Sequence, residues 1–143
     1  MKKTILCLSL ITMLSCTAQT PNETMEKEVK ITLNGYLEAG DKNDVNALEP
    51  FLNDNFRVAV FDLEKEATSI LDKETYTSFI KDKKFGGYTR TTDYHSIAFI
   101  GQNMATVQIT LTSEGKPTLK NFYTLVKDKS GWTVLQDFVT LVK

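Results

Sequence analysis

The chain has 143 residues, enough for one domain with a real core, and its 41% apolar and 24% charged content is that of an ordinary globular protein. A formal net charge of -1 with no basic stripe excludes a nucleic-acid footprint. Both cysteines, Cys7 and Cys16, stand near the N-terminus, so the remainder carries no thiol chemistry, no internal disulfide and no cysteine zinc site.

Met1 to Cys16 reads MKKTILCLSLITMLSC: two lysines, then an apolar run from Ile5 to Leu14 that is too short to span a membrane as a helix. It ends in Met13-Leu14-Ser15-Cys16, which resembles the bacterial lipobox, although Met13 stands where Leu is usual. The resemblance implies cleavage before Cys16 and its lipidation. Ordinary cleavage after Ala18 and an uncleaved anchor are the alternatives. Each sends the domain out of a bacterial cytoplasm. The first leaves it on a membrane, facing the periplasm or the cell surface, and the second leaves it soluble and secreted. Without the first sixteen residues, which carry Lys2 and Lys3, 15 basic residues stand against 18 acidic.

Residues 17–24 (TAQTPNET) are polar with one proline and read as a flexible tether, reaching at most about 30 Å. Asn22-Glu23-Thr24 fits a glycosylation acceptor, but the bacterial-type leader makes it idle. The domain proper is expected over 25–143. Met25, Val29, Leu33, Tyr36 and Leu37 form one apolar helical stripe, with Gly40 as a left-handed stop. Asp44 caps a second helix over Val45 to Leu52, which Pro50 bends or interrupts. Phe56 to Phe61 reads as a strand, and Leu63 to Ala67 as a charged loop. Asp72 caps a third helix with Tyr76, Phe79 and Ile80 inward, ended by Gly86-Gly87, which has no phosphate-loop context. From Thr91 the pattern is β. Thr91 to Ile100 is one strand. In Met104 to Thr112, Ala105, Val107, Ile109 and Leu111 alternate with polar neighbours. Leu119 to Val142 is a hairpin around Lys127-Asp128-Lys129-Ser130-Gly131. Its last strand is apolar on both parities: Trp132, Val134 and Phe138 on one, Leu135, Val139 and Leu141 on the other. Helices cover only one face, so the other is an expected homodimer surface.

This order gives an α+β domain: a long antiparallel meander with the helices on one sheet face. The order of elements, the phrase Tyr36-Leu37-Glu38-Ala39-Gly40-Asp41 and the closing hairpin resemble the nuclear-transport-factor-2-like (SnoaL-like) superfamily, which implies a cone-shaped fold, a strongly curved antiparallel sheet with three helices on its concave face. Phe122-Tyr123-Thr124-Leu125-Val126-Lys127 with Gly131-Trp132-Thr133-Val134 resembles, more narrowly, the branch named for lumazine binding. The superfamily includes isomerases, dehydratases, binding modules and non-catalytic dimers, so the resemblance implies a fold and leaves the chemistry open.

Asp93 and His95 stand two apart on a predicted strand. They are either a surface pair or a carboxylate-oriented general base, the arrangement relatives use inside the cone. Asp137, within apolar Val134 to Val139, either faces solvent or is an inward acid. Tyr36, His95, Tyr123 and Trp132 are the candidate ligand contacts, with core packing as the plain alternative for the aromatics. One histidine rules out a histidine-rich metal centre, and no cofactor is expected. Three functions remain: a lipid-anchored domain binding a small apolar or aromatic molecule, a structural dimer with a filled cone, or an isomerase or dehydratase using Asp93–His95 or Asp137 as base.

Overall fold

The computed structural model describes residues 20–142. The leader, Cys16 and the start of the tether lie outside them.

Helix α1 spans Pro21–Asp41, and Thr20 starts it with a full capping box. The Glu23 amide donates to Thr20 Oγ1 (3.3 Å), and the Thr20 amide donates to Glu23 Oε2 (2.9 Å). Pro21, which has no amide hydrogen to satisfy, sits at the first position. The residues read as the end of a tether are therefore the first turn of α1. Val29, Leu33, Tyr36 and Leu37 are buried as the stripe requires. Gly40 is not the left-handed stop; Asn43 takes that conformation (φ 54°), as a short polar side chain allows.

Asp44 caps α2 (Val45–Leu48), which is cut short at Pro50 by one 3-10 turn, Glu49–Phe51. β1 (Leu52–Asp62) follows at once, four residues earlier than its apolar run. β2 (Ala67–Asp72) occupies a stretch that carries no strand pattern. α3 (Lys73–Lys81) starts at Asp72, whose carboxylate accepts from the Thr75 amide at 2.9 Å. Then come β3 (Thr91–Ile100), β4 (Met104–Thr112), β5 (Thr118–Asp128) and β6 (Gly131–Val142).

The six strands form one sheet in the order β2-β1-β6-β5-β4-β3. The hairpin β5–β6 lies at its centre. All neighbours are antiparallel except β1 and β6, so the sheet is mixed rather than purely antiparallel. No turn joins β1 to β6, so nothing forces them to run in opposite directions. α1 and α3 cover one face, and the buried side chains of β1, β4, β5 and β6 meet them in a single core.

The register shifts at three places, once in β1 between Leu52 and Arg57, and the other two, in β6 and β3, set which residues face that core. In β6, Val134 pairs with Leu125 and Gln136 with Thr124, which leaves Leu135 as an extra residue. Trp132 and Val134 point inward before it; Asp137, Val139 and Leu141 do so after it. Phe138 is turned to the outer face, where it is 42% exposed. The expected grouping of Trp132, Val134 and Phe138 on one face is thus corrected, and Val139 and Leu141 belong to the helix side. In β3, His95 is the extra residue, between Tyr94, paired with Ile109, and Ser96, paired with Gln108.

Candidate functional site

One end of the cone is packed and the other is open. At the packed end Trp132 lies between α1 and the sheet. Its ring is 6.3 Å from that of Phe99, and its indole N–H donates to Glu28 Oε2 at 3.0 Å. Lys127 reaches the same carboxylate at 2.6 Å, and these two partners hold Glu28 below the usual carboxylate range. Trp132 is a core plug and does not border the cavity.

At the open end a cavity of about 720 Å³ lies between the sheet, the end of α1, α3 and the segment linking α3 to β3. Its apolar wall is Val58, Val60, Leu119, Val139 and Leu141, with Ile80 from α3. The linking segment is pinned in place by Asn43, whose side-chain amide donates to the Ile80 carbonyl (2.8 Å) and the Phe85 carbonyl (2.6 Å). Gly86 then crosses directly over the Gly40 carbonyl. A Cβ on Gly86 would stand 2.0 Å from that oxygen, and its φ of 69° also disfavours a side chain. Beside it, the Arg90 Nε donates to Asp41 Oδ1 at 2.5 Å and the Arg90 amide to Asp41 Oδ2 at 3.0 Å, tying the start of β3 to the end of α1.

Asp137 is the inward acid. It borders the cavity, is only 4% exposed, and is surrounded by hydrogen-bond donors. Asn121 Nδ2 donates to Oδ1 at 2.8 Å, and the Tyr36 hydroxyl donates to Oδ2 at 3.3 Å. The Tyr36 and Tyr76 hydroxyls are 2.8 Å apart. Since the single Tyr36 hydrogen goes to Asp137, Tyr76 donates to Tyr36, forming a relay from α3 through α1 to β6. Burial drives the Asp137 pKa up to about 7, although Asn121, Tyr36, Arg90 and Tyr123 all favour its ionised form. Burial likewise pushes the Tyr36 and Tyr123 hydroxyls well above their ordinary 10, so they stay protonated donors. Asn121 Nδ2 also donates to the Tyr123 oxygen at 3.0 Å, while Asn121 Oδ1 is buried without a partner.

The other sequence candidates divide. Tyr36 borders the cavity, and Tyr123 lies behind it in the same network. Asp93 and His95 lie on the outer sheet face, with their side chains 76% and 47% exposed. They are 3.8 Å apart, and His95 Nε2 is 2.7 Å from Thr110 Oγ1. The bulge at His95 leaves the pair on the solvent side, so it is the surface pair and touches no pocket. Asn121, Arg90 and Asp41 escaped the sequence reading. The one signal for Asn121 was an amide in a strand otherwise aromatic and aliphatic.

Chemically, the floor offers a carboxyl whose pKa burial raises to about 7, able to accept a proton or to donate a hydrogen bond, beside tyrosine hydroxyls that stay protonated. The apolar wall excludes water from one side of it.

No protein-family model and no curated protein matches the sequence. Solved structures do match the fold. An NTF2-like protein of unknown function from Shewanella baltica superposes with a TM-score of 0.74 at 17% identity, over 87% of this chain and 99% of that one. An NTF2-like protein from Cytophaga hutchinsonii gives 0.68 at 18% identity, over 82% and 98%. A ketosteroid isomerase-like protein from Erwinia carotovora gives 0.61 at 12% identity, over 82% and 95%. With its helices on one face of a bulged six-stranded sheet and a cavity at the open end, the chain has the nuclear-transport-factor-2-like fold.

Proposed function

We propose that this chain is an exported, lipid-anchored domain that holds a small molecule in the open end of its cone. The cavity carries this reading: about 720 Å³ falls inside the roughly 300–1,000 Å³ of small-molecule sites, with an aliphatic wall on one side and convergent polar and charged groups on the other. A filled structural cone would leave no such volume, and here the space persists between the aliphatic wall and the rings of Tyr36, Tyr76, Phe85 and Tyr88. A flat heteroaromatic body, of the kind the lumazine-binding branch name suggests, is one shape such a volume accepts. The neutral fluorophore N-phenyl-1-naphthylamine tests it. Saturable binding to the wild type, weakened about tenfold or more in a folded Val139→Phe variant, is the expected result. Absence of saturable binding by the wild type overturns the reading.

Export rests on the leader pattern and on Ser15-Cys16. Wild type should partition with membranes and Cys16→Ser should be soluble; a soluble wild type beginning at Gln19 contradicts lipidation. Homodimer formation is supported by an apolar row across the outer face. Ile70, Ala59, Phe138 and Phe122 are successive cross-strand partners on β2, β1, β6 and β5.

A second reading, proton-transfer catalysis, is favoured by Asp137 itself: a carboxyl near neutrality at the wall of a cavity is placed as a general base is. A co-purified ligand with an acidic C–H should then exchange it for deuterium in heavy water with the wild type and not with Asp137→Asn. Equal exchange with both would sink this reading.

A further inference from the structure

The cavity has a polarity along its depth. Its inner part joins an aliphatic wall to one carboxyl, Asp137, with Tyr36, Asn121 and the half-buried Arg90 near it, while Lys42, Lys83, Lys84 and Lys116 line its more exposed part. Some of these cations already have partners. Arg90 is held by Asp41. Lys42 pairs with Glu38 at 2.5 Å, and Lys84 lies 3.7 Å from Asp82. Lys83 and Lys116 have no carboxylate within ion-pair distance among the described residues, and Lys116 instead lies over the Tyr88 ring, 5.0 Å from its centre. The only acids on the lining are Asp41, committed to Arg90, and Asp137. The mouth thus carries positive charge in excess, in a chain whose overall charge is slightly negative.

That excess sits beside the low-dielectric wall of Val58, Val60, Leu119, Val139 and Leu141, where a charge is screened less than on an open surface. The loop carrying Lys83 is held by Asn43 and by the crossing of Gly86 over Gly40, so the backbone that presents this lysine has a fixed place at the rim. At the other end, Asp137 would repel a second negative group whenever it is ionised.

We infer that the ligand is an apolar monoanion, an aromatic or alicyclic carboxylate or sulfonate, seated with its uncharged end at Asp137 and its acidic head between Lys83 and Lys116. This inference rests on the reading of the cavity as a ligand site. Asp137, when ionised, disfavours a dianion with charges at both ends, and the lysines of the mouth disfavour a cation.

Two fluorophores that share an anilinonaphthalene body separate the two readings: 8-anilino-1-naphthalenesulfonate, and N-phenyl-1-naphthylamine, which lacks the sulfonate. At low salt the sulfonate should bind about tenfold more tightly, as two rim charges at near-surface dielectric suggest. That ratio should fall toward unity in 1 M NaCl, where the Debye length is about 3 Å. The double variant Lys83→Gln, Lys116→Gln, with unfolding unchanged, should bring the same fall at low salt. A folded Val139→Phe variant should weaken both probes, since Val139 lines the cavity; unchanged binding of both would put the probes elsewhere and overturn the inference. Binding of both probes with equal affinity, or a ratio indifferent to salt and to the lysines, overturns the anion inference and leaves the cavity reading standing. Binding of neither overturns both.

Discussion

Replacing Asp137 by Asn should remove a specific slope from the pH dependence of stability. In the folded chain burial raises the Asp137 pKa from an ordinary 3.8 to about 7, and unfolding returns it to the ordinary value. Between those two pH values the folded protein retains a proton that the unfolded chain has released. Stability therefore falls as pH rises through this window, and the loss is complete above about pH 7. About three pKa units at about 1.36 kcal/mol each give a total on the order of 4 kcal/mol. Asp72, Asp128 and Glu28 act with the opposite sign. Their folded pKa values are lowered, so their contributions are present at neutrality and lost as pH falls. They are common to both proteins and cancel in the difference. Urea unfolding of wild type and Asp137→Asn from pH 4 to pH 8 measures it. The stability difference should move in favour of the variant by about 4 kcal/mol across that range, with most of the change between about pH 4 and pH 7. A difference constant with pH would refute the desolvated carboxyl. A difference that moves in favour of the wild type would mean that the donors from Tyr36, Asn121 and Tyr123 outweigh burial.

Trp132→Ala should cost roughly 3–5 kcal/mol in urea unfolding, the range for removing a large buried aromatic, and should raise the Glu28 pKa by taking away its indole donor. Gly86→Ala should lower stability by about 1–3 kcal/mol and weaken probe binding, because the new Cβ forces the segment off the Gly40 carbonyl. The wild-type domain should scatter light as a dimer at tens of micromolar, burying on the order of 1,200–2,000 Å² in total. Phe138→Lys should return it to a monomer, since Phe138 stands beside Phe122 (ring centres 6.3 Å apart) on the outer face. Val139, which borders the cavity, is unsuited to that test.

What the sequence revealed follows from where the physics is local. Asp44 and Asp72 announced α2 and α3 because an N-cap is a short-range hydrogen bond between neighbours in the chain. β4 was legible in full because its four inward side chains, Ala105 to Leu111, meet the core with no break in alternation. β2 was not. It is an edge strand with only Leu71 partly shielded, so burial left no period in its sequence, and it exists through its pairing with β1. The first turn of α1 has the sequence of a tether because its residues are polar and exposed. Its evidence lay in the reciprocal bonds of Thr20 and Glu23. The parallel pairing of β1 with β6 joins residues some eighty positions apart, a tertiary choice with no local signal.

The site was hidden by the bulges. Period-two reasoning assumes an unbroken strand, and one extra residue inverts every assignment beyond it. Carried through Leu135 without a bulge, the parity of Trp132 and Val134 would send Gln136 and Phe138 inward and leave Asp137 on the outer face. Phe138 would then stand where Asp137 and Val139 now border the cavity, giving an aromatic plug in place of a carboxyl and a hydrophobic wall. The cone would be closed and packed, and its outer face would lose the aromatic that stands beside Phe122. The bulge at Leu135 does three things at once. It opens the cavity, sets Asp137 against Tyr36 and Asn121 inside it, and turns Phe138 out beside Phe122. An apolar strand with a single acid was ambiguous between a filled and an open cone, and one inserted residue decides between them.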